Sequence, residues 1–546
     1  MTIWEEPAEQ TATVVPAPEA DPFAVGQSAV AERVVRDNPG RFMYVPGIGW
    51  HAYDGRRWDQ GNGAAEQQIR QAVVASARGM IADAAAITDR AERDEQMKLA
   101  SRTLSSSAQV AGVVDFVQIH GGVLVRADQL NADPMLLNVT NGTLDLTTGR
   151  LLPHDHRDRI TRVAGTEYRA DAHSPRWEQF LAEALDDPAL IAAVARCFGG
   201  AGLPGIVRDH LLPIIYGPGG AGKGTFYETV KAALGDYAIA AEPELLMASR
   251  NGSTHPTGSM DLLGVRLAFV SETDDGRRMA AATMKRLTGG DTIRARRMRQ
   301  DFIEFRPSHL LALITNHLPT MPAGDDPAVW RRVRVVPFTR VPAKPDKRLG
   351  EHLKDDLAGV LAWLVAGHAD YVERGDDVAW PESVESATAA YRGQSDVLGT
   401  FLAQATEPDE NGAIPTGVLY VAWKEWLDGN APDVKPGRTG DFVRKLRERG
   451  EQVAESGSKG ARTVVKGRRL DDVSDVSDVS LALPLRNGSS SVHTHKTSET
   501  SETWESPHEF DFETSPPIAR CQQDGCVSAS GGGPYCHAHR DAEVMA

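Results

Sequence analysis

The stretch Gly217-Pro218-Gly219-Gly220-Ala221-Gly222-Lys223-Gly224-Thr225 constrains this chain more than any other feature. An apolar run, Leu211–Tyr216, precedes it, and a helical pattern, Phe226–Leu234, follows. Strand, glycine-rich loop and helix in that order make a phosphate-binding loop. The small residues let successive backbone N–H groups turn inward around phosphate oxygens. The helix N-terminus behind adds unpaired donors and a dipole, and Lys223 reaches the β- and γ-phosphates. ATP with Mg2+ is the ligand this chemistry implies. One position departs from the pattern: Gly224 stands where a Ser or Thr would ligate magnesium, and Thr225, one step on, is the substitute.

Three further apolar runs follow: Arg266–Ser271, Leu310–Thr315 and Val333–Phe338. Separated by helical stretches, they predict an α/β sheet buried on both faces. The first runs into Glu272, Asp274 and Asp275, as a strand beside a phosphate loop does when it carries the magnesium-binding or water-polarising acid. Glu272 is the candidate catalytic base, and the two aspartates either assist it or form a solvated turn. The second ends at Asn316, a polar amide able to hold an attacking water. Arg331 and Arg332 precede the third, where an arginine can reach a neighbouring subunit's ATP.

Charge has to be resolved along the chain before it says anything about partners. The formal net charge is −16 over 546 residues, which on its own argues against a nucleic-acid partner. Residues 1–22 carry a net −5 and residues 471–518 a net −8, however. Their Ala/Pro/Glu-rich and Ser/Asp-repeat compositions predict disordered tails. The remainder is near neutral. Within it, Met284–Arg306 concentrates Lys285, Arg286, Arg294, Arg296, Arg297, Arg299 and Arg306 against three acids, a local field fit to track phosphates.

Ahead of the phosphate loop, residues 23–200 predict one α+β domain. A helix around Val30 leads to strands at Phe42–Val45 and Gly49–Tyr53, joined to Trp58 through an Asp54-Gly55 turn. Ala-rich helices follow over 63–120, short strands over 134–164, and helix from 176 to 204. Residues 201–345 are the expected ATPase domain and 346–384 a helical connection. Residues 385–468, with helices around Tyr391–Leu402, Leu419–Trp426 and Phe442–Leu446 and a strand at Val464-Val465, predict a winged-helix-like domain. Cys197 lies in an apolar helical stretch and reads as a packing residue. Residues 469–518 are the acidic linker. The last segment, 519–546, holds Cys521, Cys526, Cys536 and His539 in a spacing that suits tetrahedral zinc, a zinc knuckle. Four cysteines in this length exclude a disulfide framework. No apolar run approaches a membrane span and the first residues carry no secretory signal, so a cytoplasmic protein is expected.

Taken in order, GPGGAGKGT, RLAFVSETDDG, MKRLTGGDTIRARRMRQDFIEF, LLALITNHLP and VWRRVRVVPF resemble the helicase part of the phage/plasmid primase–helicase family, within superfamily 3 helicases. GIGWHAYDGRRW and LNVTNGTLDLTTGRL are similar to the poxvirus-primase-like domain that precedes such helicases. The resemblance covers about residues 40–468. It implies an AAA+-like ATPase core assembled as a ring, a homo-hexamer, with ATP between subunits and single-stranded or forked DNA in the pore, moving 3′ to 5′. Lys223 then matches the Walker A lysine, Glu272 the Walker B acid and Asn316 sensor 1. Arg332 is the preferred arginine finger by its spacing to Phe338, with Arg331 second. Lys285, Arg286, Arg294, Arg296, Arg297 and Arg299 match the DNA-contacting region.

No primase domain fits ahead of residue 40, so unwinding without priming is expected, with a separate primase or polymerase as partner. Two rivals remain. A non-motor DNA-binding or loader ATPase would hydrolyse ATP without displacing a strand. A nucleoside monophosphate kinase shares the GKGT loop but explains neither the Glu272 strand nor the Asn316 strand.

Overall fold

The computed structural model describes residues 24–248, 257–272, 277–296, 302–321, 326–431, 434–456 and 462–470. The expected acidic tails and the Cys521/Cys526/Cys536/His539 cluster lie outside them, as do Asp274, Asp275, Arg297 and Arg299.

The N-terminal part begins with α1 (Gln27–Asp37) and the antiparallel strands β1 (Phe42–Val45), β2 (Gly49–Tyr53) and β3 (Trp58–Asp59). The tight turn expected at Asp54-Gly55 falls one residue later. The Asp54 N–H donates to the Arg57 carbonyl at 3.1 Å, leaving Gly55-Arg56 as the loop, and the Asp54 carboxylate accepts from the amides of Arg56 and Arg57. Helices α2 (Ala64–Ala84), α3 (Arg90–Leu104) and α4 (Ser107–Ile119) follow. Asp89 and Ser106 cap the last two by accepting amide hydrogen bonds, the preferred chemistry for a helix start. A meander of β4 (Leu136–Val139), β5 (Gly142–Asp145) and β6 (Arg150–Leu152) leads to α5 (Pro175–Leu185) and α6 (Pro188–Ala195). The helix expected over 176–204 thus breaks at Asp186, whose φ is 54°. It ends in a π-helical turn, Arg196–Ala201.

The single α+β core expected for 23–200 is divided. Val30, Trp50, Ile69, Val73, Val114 and their neighbours form one cluster confined to residues before 124. Leu137, Leu144, Trp177, Phe180 and Phe198 instead pack into the cluster that covers one face of the central sheet. Cys197 is buried there, as expected, and burial pushes its thiol pKa up.

That sheet has five parallel strands: β7 (Leu212–Tyr216), β8 (Ala238–Ala241), β9 (Leu267–Glu272), β12 (Leu310–Thr315) and β13 (Val333–Pro337), in the spatial order β13-β7-β12-β9-β8. Alternate residues serve opposite faces. Ile215, Phe269, Ala312 and Val336 pack on one side with α7 (Lys223–Leu234) and α12 (Leu357–Glu373). Ile214, Val270, Leu313 and Val335 pack on the other with Leu246, Met260, Trp330 and Tyr391. Every residue of β12 is buried, as the expected two-sided α/β sheet requires.

Between β9 and β12 the chain forms α9 (Ala281–Leu287) and an antiparallel hairpin, β10 (Ile293–Ala295) with β11 (Ile303–Phe305). The short helices α8 (Thr257–Met260), α10 (Pro327–Trp330) and α11 (Leu349–Lys354) complete the core region. The boundary expected at 385 falls inside α13 (Glu382–Ser395). This helix is tied to the sheet by the Val335 N–H donating to Thr388 Oγ1 at 3.0 Å and by Tyr391 edge-on to Trp330. The helix expected through Tyr391–Leu402 therefore breaks at Asp396, which caps the next one.

The last unit runs α14 (Val397–Ala405), β14 (Thr406–Pro415), α15 (Thr416–Asn430), α16 (Thr439–Glu448), β15 (Gln452–Ser456) and β16 (Arg462–Leu470). Its three strands pair in the order β14-β16-β15 around a core of Phe401, Trp423, Phe442 and Val465. No helix among the described residues is long and apolar enough to cross a membrane.

Candidate nucleotide-binding site

Register decides which residues meet at the carboxyl edge of the sheet. Thr315 pairs with both Tyr216 and Glu272, and Pro337 pairs with Tyr216. The residues that follow, Gly217 and Asn316, leave the sheet side by side with the end of β9. The crevice outside the carboxyl ends of parallel strands is where α/β sheets bind ligands.

The loop itself is shaped by contact. A Cβ on Gly217 would lie 1.8 Å from the Phe338 carbonyl oxygen, and Gly222 has φ of 88° with Phe180 close behind it. Both positions exclude other residues for stated steric reasons. Gly219 and Gly224 face open space, so nothing steric demands the glycine that replaces the usual Ser or Thr. Gly222 caps α7 without a side-chain hydrogen bond, leaving the first-turn amides of a twelve-residue helix for an anion. Thr225 is half-buried in that turn.

Lys223 is only 6% exposed. Its Nζ donates to the carbonyls of Gly217 (2.7 Å) and Pro218 (2.8 Å) and to Asn316 Oδ1 (2.7 Å). Burial lowers its pKa, and no acid among these three partners opposes that. The lysine is a buried cation held by neutral oxygens, a site short of negative charge. The cleft around it has a volume of about 520 Å³. It is lined by the loop residues, Ser271, Thr315 and Asn316 together with Phe180, Ala184, Pro342, Pro345 and Leu349. Arg340 also lines it and is ion-paired with Asp186. Neither Arg340 nor the α5 wall stands out in the sequence, because both lie far along the chain from the motifs they meet. A larger cleft of about 780 Å³, around Trp50, Gln60 and Arg162, carries no such loop; size alone does not pick out the site.

Other expected residues are placed less as expected. The backbone of Glu272 ends β9 at the edge of the cleft. Arg332, the preferred finger, is 7% exposed and turned into its own chain, donating to Ala328 O at 2.6 Å and Thr288 Oγ1 at 3.2 Å. Burial and the adjacent Arg331 charge lower its pKa. Arg331 is exposed. Lys285 is bound to Asp326 at 2.8 Å, which holds that carboxylate's pKa down. Arg286, Arg294 and Arg296 are exposed, the last two on the β10–β11 hairpin with their guanidinium carbons 4.7 and 4.6 Å from the ring centre of Phe302, itself 44% exposed. Among the described residues, no group of three or more His, Cys, Asp or Glu could hold a metal ion.

Residues 31–186 match the family described as D5 N terminal like, and residues 215–332 match a family of unknown function, DUF5906. The chain is similar to "Putative helicase L207/L206" of Acanthamoeba polyphaga mimivirus, 26% identical over 331 residues. That alignment covers 55% of this chain and 34% of the relative. "Putative helicase 022R" of Frog virus 3 (isolate Goorha) is 28% identical over 243 residues, covering 41% of this chain and 25% of that protein. The chain thus spans only about a third and a quarter of these relatives' lengths. Among solved structures, the A form apo structure of the NrS-1 C terminal region is similar over 66% of this chain and 89% of that one, at 12% identity and a TM-score of 0.37. The D5-type match over residues 31–186 and the two viral relatives support the phage and viral primase–helicase family to which the motifs pointed.

Proposed function

We propose that this chain is an ATP-dependent DNA helicase motor of phage or viral replication. The observation that carries the reading is the Lys223–Asn316 contact at 2.7 Å, which joins the phosphate loop to the adjacent strand end. An ammonium held by carbonyls and an amide rather than by a carboxylate is available to exchange those partners for phosphate oxygens, a charge-assisted and stronger set. ATP would therefore take Lys223, release Asn316, and free its amide to orient the attacking water, with Glu272 as general base. Thr225 would hold Mg2+, which would neutralise phosphate charge.

Arg331, exposed at the end of α10, replaces Arg332 as the finger reaching a neighbour's nucleotide. A finger acting in trans requires an assembly; the hexameric ring and the 3′–5′ movement are what the family resemblance implies. The β10–β11 hairpin supports a single-strand contact: Arg294 and Arg296 flank an exposed Phe302, the pairing of phosphate-binding cations with a stacking ring that single strands favour. Lys285, committed to Asp326, is removed from that set. The α14–β14–α15–α16–β15–β16 order supports the expected winged-helix assignment. The domain proposal is then 24–124 as an N-terminal lobe joined to the core through Met43, Val45, Ile48 and Trp58, 131–395 around the ATPase sheet, and 397–470 as the winged helix.

The test is ATP hydrolysis with and without single-stranded DNA. Hydrolysis stimulated severalfold by the strand, and abolished by Lys223→Ala, is expected. Phosphoryl transfer to AMP in place of DNA-stimulated hydrolysis would establish the kinase chemistry instead.

A further inference from the structure

We infer that Arg340 is a second phosphate-binding cation of the Lys223 cleft, supplied in cis, which exchanges the Asp186 carboxylate for the phosphates of the nucleotide. The inference rests on the nucleotide-binding reading of that cleft and adds a residue that no sequence motif marks.

The backbone brings Arg340 to the loop. Beyond the end of β13, the Phe338 N–H donates to the Tyr216 carbonyl at 2.7 Å, so the chain leaving the sheet stays paired with the strand that feeds the loop. The Phe338 carbonyl closes over Gly217, and Val341 Cγ1 lies 3.6 Å from where a Cβ on Gly220 would stand. Residues 338–341 thus run along the phosphate loop from its first glycine to its fourth residue. Arg340 stands inside that run and lines the cleft.

Charge gives it a task. A triphosphate brings more negative charge than one ammonium offsets, and phosphoryl-transfer sites surround it with further cations. Lys223 and Arg340 are the cations among the described residues lining the cleft. The lining acids, Glu183 and Asp346, lie 4.0 and 3.1 Å from Arg176, whereas Arg340 is ion-paired with Asp186. A planar guanidinium forks onto phosphate oxygens as it does onto a carboxylate.

Asp186 is poorly placed for its own helix. It ends α5 with φ of 54°, its N–H donating to the Ala182 carbonyl at 3.1 Å. Glycine or asparagine serves such a left-handed position. A carboxylate there adds negative charge at the helix's negative end, which is unfavourable. Helix termination therefore does not explain the charge, and the contact with Arg340 does. The paired side chains are 58% and 52% exposed, so the pair contributes little and is readily exchanged.

The experiment is calorimetric titration of the full chain with ATP and Mg2+. Arg340→Ala should weaken ATP binding about tenfold or more, the loss of a hydrogen-bonded charge, and Arg340→Lys should recover part of it. Asp186→Asn keeps the helix end and frees Arg340, so it should tighten ATP binding about threefold, the scale of an exposed pair. That gain should vanish in the Asp186→Asn/Arg340→Ala double variant; a merely structural ion pair would give no gain at all. Arg348→Ala, which removes an equal charge from an exposed pair with Glu351 outside the cleft, should leave ATP affinity unchanged. Matching thermal transitions would show that the variants fold. ATP binding that needs Lys223 but is unmoved by Arg340→Ala, or is not tightened by Asp186→Asn, would overturn this inference alone. Undetectable ATP binding, or binding indifferent to Lys223→Ala, would overturn the nucleotide reading and this inference with it.

Discussion

Arg331 and Arg332 are adjacent in sequence and should differ completely on substitution. Arg332 makes two hydrogen bonds inside its own chain, at 2.6 and 3.2 Å, from a position 7% exposed. A hydrogen bond from a charged donor contributes about 1.5–3 kcal/mol, and removing the buried stem adds to the loss. Burial and Arg331's like charge, which lower its pKa, offset part of that. Arg332→Ala should therefore destabilise the ATPase region by about 2–3 kcal/mol. With urea m-values of about 1–3 kcal/mol per molar, the corresponding transition moves down by about 1 M or more. Arg331→Ala, at the surface, should leave that transition within about 0.5 kcal/mol of wild type. A finger acting in trans is worth about 10³–10⁵ in turnover, so Arg331→Ala should reduce ATP turnover by about three orders of magnitude. Mixing it with wild type should poison assembled protein out of proportion to its share. Urea unfolding and steady-state hydrolysis on both variants decide the matter. Normal turnover by Arg331→Ala, or wild-type stability of Arg332→Ala, would refute the assignment.

Two other perturbations follow from the site's surroundings. Gly217→Ala forces a methyl to within 1.8 Å of the Phe338 carbonyl, whereas Gly224→Ala points into open space; the first should abolish nucleotide binding and the second retain it, as read by calorimetric titration with ATP. Burial pushes the pKa of His309 down to about 4 from its ordinary 6.5, with a backbone contact at Leu287 opposing only part of the shift. Its neutral form is therefore favoured by folding. The associated stability is fully present above about pH 6.5 and is lost as pH falls toward 4, by about 3 kcal/mol in total at 1.36 kcal/mol per unit. Melting temperatures between pH 4 and 7 should fall steeply in wild type and less in His309→Gln, and parallel curves would count against this role.

The motif strands were legible because they are buried on both faces and so read as continuous apolar runs. The strands that escaped are built differently. β8 is Ala238-Ile239-Ala240-Ala241 at the sheet edge, alanine-rich and weak in β-propensity. β10 and β11 alternate buried Ile293, Ala295, Ile303 and Phe305 with exposed Arg294 and Glu304, and three residues give too little period to notice amid so much charge. β14 contains Pro408 and Asp409 and shifts register between Pro408 and Ala413, so turn residues hide a bulged strand. Helix breaks at Asp186 and Asp396 passed unseen, since apolar spacing continues across them while an αL residue or a side-chain cap ends the helix locally. For the site, local pattern put Lys223 at the head of the helix after the loop and Asn316 just past the end of its strand, and the structure brings the two into contact. It could not separate Arg331 from Arg332, because which of two neighbours faces inward depends on Thr288 and Ala328. Nor could it find Arg340 or the α5 wall, which close the cleft through tertiary contact alone.

The central claim is that nucleotide chemistry at Lys223 drives strand separation. The most direct measurement is displacement of a labelled strand from a forked duplex by the full chain with ATP and Mg2+, run beside Lys223→Ala. The wild-type chain should release the strand only with hydrolysable ATP, and Lys223→Ala should release none while still binding the fork. Strand release that survives Lys223→Ala, or wild-type hydrolysis of ATP with no release at all, would contradict the account.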